Sequence, residues 1–211
     1  MSHPTRRALI VIDVQNEYFS GGLPIEYPDP QASLANIGQA MDAATAHAIP
    51  VLVVQQSAPA GAPIFAPGTH GWELHESVAR RPRSHLIDKQ MPSAFTGTGL
   101  ADWLETHAID TLTVVGYMTH NCVASTVFEA LHRGLKVEVL HDATGALPYA
   151  NRAGSASAKS IHEAFHVVFQ SRFAAVMGTE EWLAHLAAGS APERDSILAS
   201  NRRFAAEPKA A

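Results

Sequence analysis

The chain is organised around the stretch Thr111-Leu-Thr-Val-Val-Gly-Tyr-Met-Thr-His-Asn-Cys-Val-Ala-Ser-Thr-Val-Phe-Glu-Ala-Leu-His-Arg-Gly134. Residues 111–115 form a short apolar, β-branched run that is typical of a fully buried strand, and Gly116 ends it. Apolar residues then recur at helical spacing from Val123 to Leu131, and the last glycine of the stretch suits a helix C-terminus. A buried strand, a short loop and a helix are therefore predicted.

Cys122 is the only cysteine of the chain, and this pattern places it at or just before a helix N-terminus. Unpaired backbone N–H groups and the helix dipole favour an anion at that position, so they favour a thiolate over a thiol. A reactive nucleophile is one interpretation. The alternative is that a lone free cysteine is a small buried hydrophobic residue, and this segment by itself does not decide between them.

The bulk composition indicates one ordinary globular domain. The 211 residues are 46% hydrophobic and 17% charged, which is enough for one sizeable core. A formal net charge of -5 and a sequence pI of about 6.2 provide no basic field for nucleic acid. A single cysteine cannot form an internal disulfide, and no signal peptide or apolar run long enough to span a bilayer is evident. We therefore expect a cytoplasmic protein without nucleic-acid or membrane partners.

Strand-like and helix-like segments alternate along the chain. Buried strands are predicted at 8–12, 51–54, 85–88, 111–115 and 135–140, with a sixth at 167–169 or 174–177, and helices include 33–49, 153–165 and 179–188. Such alternation favours parallel strands with crossover helices. The predicted fold is α/β, a three-layer αβα sandwich around a mostly parallel six-stranded sheet. The domain is expected to cover residues 1–190, and the tail 191–211 to be disordered or to lie at an oligomer interface.

Two loops rich in glycine and proline, 15–30 and 55–83, are expected to shape a pocket. His70 and His75 lie in the second loop. Two histidines without a carboxylate or cysteine at ligand spacing are weak evidence for a metal, and solvated loop histidines are far more common. No metal site is predicted.

Asp13, Lys89 and Cys122 each follow a predicted parallel strand, directly or within a few residues. Carboxyl ends of parallel strands meet at one edge of the sheet, where ligands bind. Nucleophilic acyl transfer needs a nucleophile with a nearby acid or base and a stabilising charge. A thiol, an acid and a cation in one crevice meet this need. Taken singly, the aspartate could cap a loop and the lysine could be a solvated surface residue, so the hypothesis depends on their convergence.

The sequence also resembles the isochorismatase-like cysteine hydrolases, which include nicotinamidases, N-carbamoylsarcosine amidohydrolase and ureidoacrylate or biuret-type amidohydrolases. The resemblance runs from about Ala8 to Leu186. Its specific elements are Ala8-Leu-Ile-Val-Ile-Asp-Val-Gln-Asn16, the segment from Lys89 through Ser93-Ala-Phe95, and Val115-Gly-Tyr-Met-Thr-His-Asn-Cys-Val123.

Several site residues are implied by this resemblance. It implies a catalytic triad in which Cys122 is the nucleophile, Asp13 the acid and base, and Lys89 the charge that holds both. It further implies a non-proline cis peptide at Tyr117-Met118 and an oxyanion hole formed by the backbone N–H groups of Met118 and Cys122. Thr119 matches the conserved threonine of that loop.

The activity implied is metal-independent hydrolysis of an amide, ureido or carbamoyl C–N bond through a thioester, without a cofactor. Nicotinamidases carry an Asp-x-His metal motif where this chain has Gln55-Gln-Ser-Ala58, so neither a metal nor nicotinamide is expected. Two alternatives stay open: vinyl-ether hydrolysis, which the name-giving member performs without a cysteine nucleophile, and a non-catalytic binding role.

Substrate-contact candidates flank the predicted triad in sequence: Gln15, Phe19, Phe95, Tyr117, Thr119 and His120. For the aromatic residues, simple core packing is the alternative. The expected partner is a small-molecule substrate, and the resemblance implies a homo-oligomer, a dimer or tetramer.

Overall fold

The computed structural model describes residues 5–206, and its centre is a six-stranded sheet in which every pair of neighbouring strands is parallel. The order is β3-β2-β1-β4-β5-β8, and a separate antiparallel hairpin is formed by β6 and β7. The predicted α/β fold is confirmed. The strands are β1 Arg7–Ile12, β2 Val51–Gln56, β3 His85–Lys89, β4 Thr111–Tyr117, β5 Lys136–Gly145, β6 Tyr149–Asn151, β7 Gly154–Ala156 and β8 Ala175–Met177.

Helices cover both faces of the sheet. Alternate residues of β1 point to opposite faces, so Leu9 packs in a core with α1 and α6 while Ile10 packs in a second core with α3 and α4. This arrangement gives the three-layer sandwich. The helices are α1 Pro30–Ala46, α2 Glu76–Ala79, α3 Leu100–Thr106, α4 Ala124–His132, α5 Ala158–Val168, α6 Thr179–Ala188 and α7 Ile197–Ala206.

The segment before α5 differs from the sequence prediction. A helix was expected from residue 153, but residues 149–156 form the β6–β7 hairpin, and Asn151 Oδ1 accepts the N–H of Ala153 in its turn. The helix begins at Ala158 because Ser157 caps it by accepting the N–H of Ser160. The alternative sixth strand at 167–169 is also wrong, since those residues end α5 and begin a π-helical turn, and the strand is Ala175–Met177.

The C-terminal tail contains α7, whose apolar residues Ile197, Leu198 and Phe204 are exposed. Residues 207–211 lie outside the described part of the chain. The predicted boundary at residue 190 and the predicted oligomer contact of the tail therefore stay predictions. Within residues 5–206, no helix has the length and apolar character needed to cross a membrane.

A buried ion pair ties the start of β1 to β5. Arg7 donates from Nε to both carboxylate oxygens of Glu138, at 3.0 and 3.1 Å, and these side chains are 7% and 4% exposed. Thr113 and the indole N–H of Trp182 donate to the same carboxylate, at 2.7 and 3.0 Å. The carboxylate therefore joins three strands, β1, β4 and β5, and one helix, α6, which are distant in sequence.

Replacing Glu138 with glutamine is expected to lower the free energy of unfolding by about 3 kcal/mol, because it leaves the Arg7 charge buried without a counter-charge. Urea unfolding at neutral pH measures the loss. Glu163→Gln is the matched control, since Glu163 pairs with Lys159 on the surface, where ion pairs contribute about 0.5 kcal/mol. Equal effects of the two substitutions would contradict this role for the buried pair.

Candidate active site

Three strand ends on one edge of the sheet supply the candidate catalytic side chains. Asp13 directly follows β1 and adopts a left-handed backbone conformation with φ 51°, which aspartate tolerates better than most residues. Lys89 is the last residue of β3. Cys122 lies in a π-helical turn, Thr119–Val123, between the end of β4 and the start of α4.

Lys89 connects the other two side chains. Its Nζ lies 2.8 Å from Asp13 Oδ2 and donates to Cys122 Sγ at 3.2 Å and to Gln56 Oε1 at 2.5 Å. The ammonium group has three N–H donors, so these contacts use all of them. Asp13 and Lys89 are 0% and 1% exposed, and Cys122 is 5% exposed. The structure thus brings the three predicted residues into direct contact inside the protein.

The Asp13 carboxylate is buried and forms an ion pair with Lys89, and the Cys122 thiol also lies close enough to affect its pKa. Burial raises its pKa above the ordinary value of 3.8, and Lys89 opposes that shift. Burial lowers the pKa of Lys89, but the charges of Asp13 and Cys122 outweigh burial and leave its pKa raised. Lys89 is therefore cationic at neutral pH, and Asp13 retains acceptor capacity for a proton.

The Cys122 thiol differs from the sequence expectation. Burial, followed by the charge of Asp13, raises its pKa to about 12, although Lys89 acts in the opposite direction. The helix N-terminus was expected to favour a thiolate. In the structure, exclusion from water and the adjacent carboxylate dominate, so the resting side chain is a thiol that requires a base.

The end of β4, which leads to the turn of Cys122, is closely packed against β1. Gly116 adopts φ 109°, and a Cβ there would lie 2.1 Å from the carbonyl oxygen of Ile12, so only glycine fits. The peptide bond between Tyr117 and Met118 is cis. The Met118 carbonyl accepts the N–H groups of Asn121 and Val123, which closes the turn around the cysteine. That the N–H groups of Met118 and Cys122 form an oxyanion hole stays a prediction.

Most of the predicted substrate-contact residues make hydrogen bonds or packing contacts within the protein. The Gln15 amide donates to the backbone carbonyls of Gln56 and Trp72, at 3.0 and 2.7 Å, so it fixes the strand end and the following loop. Tyr117 is fully buried, and its hydroxyl pairs with that of Ser33 at 2.8 Å. Both side chains therefore support the scaffold rather than offer free groups to a ligand.

Phe95 packs in the same core as Cys122, beneath the guanidinium of Arg133 at 5.0 Å from its ring centre. Phe19 is half-buried against His75, with ring centres 4.5 Å apart. Thr119 is buried, and its hydroxyl lies 3.0 Å from His162 Nδ1. These three residues, like the previous two, have protein partners that account for their positions.

His120 is the exception among the candidates. It lies two residues before Cys122, and neither of its ring nitrogens has a hydrogen-bond partner among residues 5–206. Burial lowers its pKa from the ordinary value of 6.5, so the imidazole is neutral at physiological pH. A neutral imidazole offers one donor and one acceptor.

Two features of the site were not predicted from the sequence. Gln56 is the third ligand of the Lys89 ammonium, and only its position at the end of β2 could have indicated this. The segment Ser93–Phe95 is fixed to α4, because Ala94 donates its N–H to Thr126 Oγ1 at 3.0 Å, and Thr126 Oγ1 donates to the Cys122 carbonyl at 2.8 Å. The segment that follows Lys89 therefore also positions the turn of Cys122.

The loop histidines do not form a metal centre with other residues. His75 Nδ1 caps α2 by accepting the N–H of Ser77 at 3.2 Å, and His70 contacts Ser20, Asn16 and Glu73. Between residues 5 and 206, no group of three or more His, Cys, Asp or Glu side chains is arranged to hold a metal ion.

A family model described as the isochorismatase domain matches residues 7–181. The chain belongs to the isochorismatase family. It is therefore an isochorismatase-family hydrolase, and the resemblance found in its motifs is confirmed. A Burkholderia xenovorans LB400 protein assigned to the isochorismatases, known from a crystal structure, superimposes with a TM-score of 0.96 at 61% identity, over 97% of this chain and 98% of that one.

Two curated relatives show how far the family similarity extends. The uncharacterized isochorismatase family protein YddQ of Bacillus subtilis strain 168 is 32% identical over 177 residues, which are 83% of this chain and 98% of that protein. The N-carbamoylsarcosine amidase of Arthrobacter sp is 26% identical over 162 residues, covering 69% of this chain and 61% of the amidase. Members of this isochorismatase family thus include an enzyme named for amide hydrolysis.

Proposed function

We propose that this isochorismatase-family protein is a metal-independent cysteine hydrolase that cleaves an amide, ureido or carbamoyl C–N bond of a small molecule. The main support for the proposal is a pair of contacts in a buried site: the ammonium of Lys89 contacts both the Asp13 carboxylate and the Cys122 sulfur. The N-carbamoylsarcosine amidase among its relatives supports the bond type.

In the first half of the reaction, Asp13 takes the proton of the Cys122 thiol and the sulfur attacks the substrate carbonyl carbon. The carbonyl oxygen becomes an oxyanion, which the backbone N–H groups of Met118 and Cys122 stabilise. The intermediate collapses when the C–N bond breaks, and the proton held by Asp13 goes to the departing nitrogen. A thioester on Cys122 and a free amine or ammonia result.

In the second half, Asp13 accepts a proton from water while the water oxygen attacks the thioester. The C–S bond breaks, the sulfur recovers the proton from Asp13, and the carboxylic or carbamic acid leaves. Lys89 keeps its proton throughout. Its charge stabilises whichever of the two neighbours is anionic at each step, which explains why it contacts both.

A panel of small amides, ureides and carbamoyl compounds, assayed for ammonia release, tests the proposal. Wild-type protein is expected to hydrolyse at least one class in the presence of a chelator. The absence of hydrolysis across all three classes, in protein shown to be folded, would contradict it.

Replacing Gln56 with alanine is expected to lower kcat about tenfold, because it frees the Lys89 ammonium to shift relative to Asp13 and Cys122. KM should change little, since Gln56 acts through Lys89. The neighbouring Gln55→Ala is the matched control: the Gln55 side chain donates to the Trp72 carbonyl and, within residues 5–206, forms no hydrogen bond with Asp13, Lys89 or Cys122. Equal kcat values in the two variants would contradict a positioning role for Gln56.

The pH dependence of kcat/KM follows from the same groups. Activity requires ionised Asp13, so it is expected to fall as the pH drops through a pKa that burial has raised above 3.8. On the alkaline side, Lys89 has a pKa raised above 10.5 and the Cys122 pKa is about 12, so activity should stay level through neutral pH. Initial rates with circular dichroism at each pH measure the profile. An alkaline decline centred near about pH 8, in folded protein, would contradict these assignments.

A further inference from the structure

A cavity of about 420 Å³ lies beside the turn that carries Cys122, beneath the β6–β7 hairpin. This volume is within the range of small-molecule sites. Three parts of the chain form its walls: His120 from the cysteine turn, Tyr149 and Ala156 from the hairpin, and Ile161 and Phe165 from α5. The hairpin, of which residues 153–156 were predicted to be helical, is therefore one wall of this cavity.

The chemistry of the walls excludes charged ligand groups. Ile161, Phe165, Ala153 and Ala156 make the surface mainly apolar, and no Asp, Glu, Lys or Arg is among the lining residues. A charged group placed against these walls would lose part of its hydration without gaining a counter-charge. The cavity therefore suits an uncharged aliphatic or aromatic group.

His120 is one of the polar side chains that line the cavity, together with Asn151 and Ser155. Both ring nitrogens are inaccessible to solvent and have no partner in the described chain, an arrangement that native structures rarely tolerate without a reason. The Tyr149 ring lies edge-on over the imidazole, with ring centres 4.8 Å apart. Tyr149 is itself 43% exposed, and a ligand that bonds to the imidazole requires this ring to turn away from it.

The cavity adjoins the turn that carries Cys122. Burial, and after it the charge of Cys122, raises the pKa of Tyr149, which means that the phenol lies within electrostatic reach of the sulfur. His120 is part of the same π-helical turn as Cys122. The cavity and the nucleophile are therefore connected by one turn of the chain, although no residue of the Asp13, Lys89 and Cys122 group is among the residues that line the cavity.

We infer that this cavity binds the apolar, uncharged body of the amide substrate, with His120 donating or accepting a hydrogen bond. This inference rests on the proposed function and adds the substrate class to it. Small neutral amides with an apolar body are favoured over analogues that carry a carboxylate at the far end of that body.

Binding to the Cys122→Ala protein, measured by calorimetry, separates recognition from turnover. Cyclohexanecarboxamide is the neutral probe, and trans-4-carbamoylcyclohexanecarboxylate is its charged counterpart. The neutral probe is expected to bind at least about tenfold more tightly, since the cavity has no counter-charge. Absence of binding by the neutral probe, or equal binding of both probes, would overturn the inference.

The location is tested by filling the cavity. Ala156→Phe in the Cys122→Ala background is expected to weaken the neutral probe at least about tenfold. Ala150→Phe in the same hairpin is the matched control, because Ala150 is exposed and does not line the cavity. If Ala156→Phe does not fold, Ile161→Trp fills the cavity from α5. Equal affinities in the filled and control variants would overturn the inference.

Ammonia release by the wild-type protein and by the Ala156→Phe variant with Cys122 retained distinguishes the two proposals. Hydrolysis of amides that is unaffected by filling the cavity would overturn the inference and leave the proposed function intact. Binding of the neutral probe in this cavity, combined with the absence of C–N hydrolysis for every amide, would support the cavity assignment and contradict the proposed function.

Discussion

Replacing Cys122 with alanine is expected to reduce kcat for amide hydrolysis by about 10³-fold or more, because no other group in contact with Lys89 and Asp13 can form the covalent intermediate. Ammonia release measured against an active wild-type substrate gives the ratio. The alanine variant should fold normally, since Cys122 is a small side chain in a core of aliphatic and aromatic residues. Thermal unfolding of both proteins provides the control.

The Cys122→Ser variant tests whether a thiol is required at this position. A serine hydroxyl is nearly isosteric with the thiol but is a far weaker acid, so it should also lose most activity while retaining the contact with Lys89. Hydrolysis at wild-type rates in either variant would remove Cys122 from the reaction. It would favour a chemistry in which Asp13 activates water directly.

Replacing Asp13 with asparagine is expected to lower kcat by about 10²- to 10⁴-fold, because the group that accepts and returns the thiol proton is lost. Asparagine also tolerates the left-handed backbone at this position, so the fold should be preserved. The same substitution should lower the pKa of Cys122 from about 12, since the adjacent carboxylate raises it and Lys89 remains to stabilise the thiolate.

The two effects of Asp13→Asn separate reactivity from catalysis. The rate of alkylation by iodoacetamide as a function of pH reports the thiol pKa, and ammonia release reports turnover. We expect the variant to be alkylated faster than wild type at neutral pH while it hydrolyses amides poorly. Slower alkylation together with unchanged turnover would contradict the assignment of Asp13 as the base.

The position of the triad could be predicted from the sequence because it depends on buried strands. The apolar runs before Asp13, near Lys89 and before Cys122 are long enough to identify parallel strands, and parallel strands place their carboxyl ends together. The final helix, Thr179–Ala188, was also predicted at its observed bounds, because a glycine ends it and acids occupy its first turn.

Other features of the site could not be predicted from the sequence, because they leave no periodic pattern of apolar residues in it. The β6–β7 hairpin is only three residues long on each side and consists largely of small exposed residues, which fit a helix pattern equally well. Gln56 was considered only for the metal motif it does not form, and its bond to Lys89 depends on the pairing of β2 with β3. The high pKa of the Cys122 thiol arises from burial, which a helix N-terminus in the sequence does not reveal.

The central claim is that Cys122 forms a covalent acyl intermediate. It is tested most directly by peptide mass spectrometry of wild-type protein that is quenched with acid while it turns over an amide substrate. The proposed mechanism predicts that the peptide containing Cys122 gains the mass of the substrate less that of ammonia, as a thioester requires. A Cys122 peptide that stays unmodified while another residue carries the acyl group would contradict nucleophilic catalysis by this cysteine.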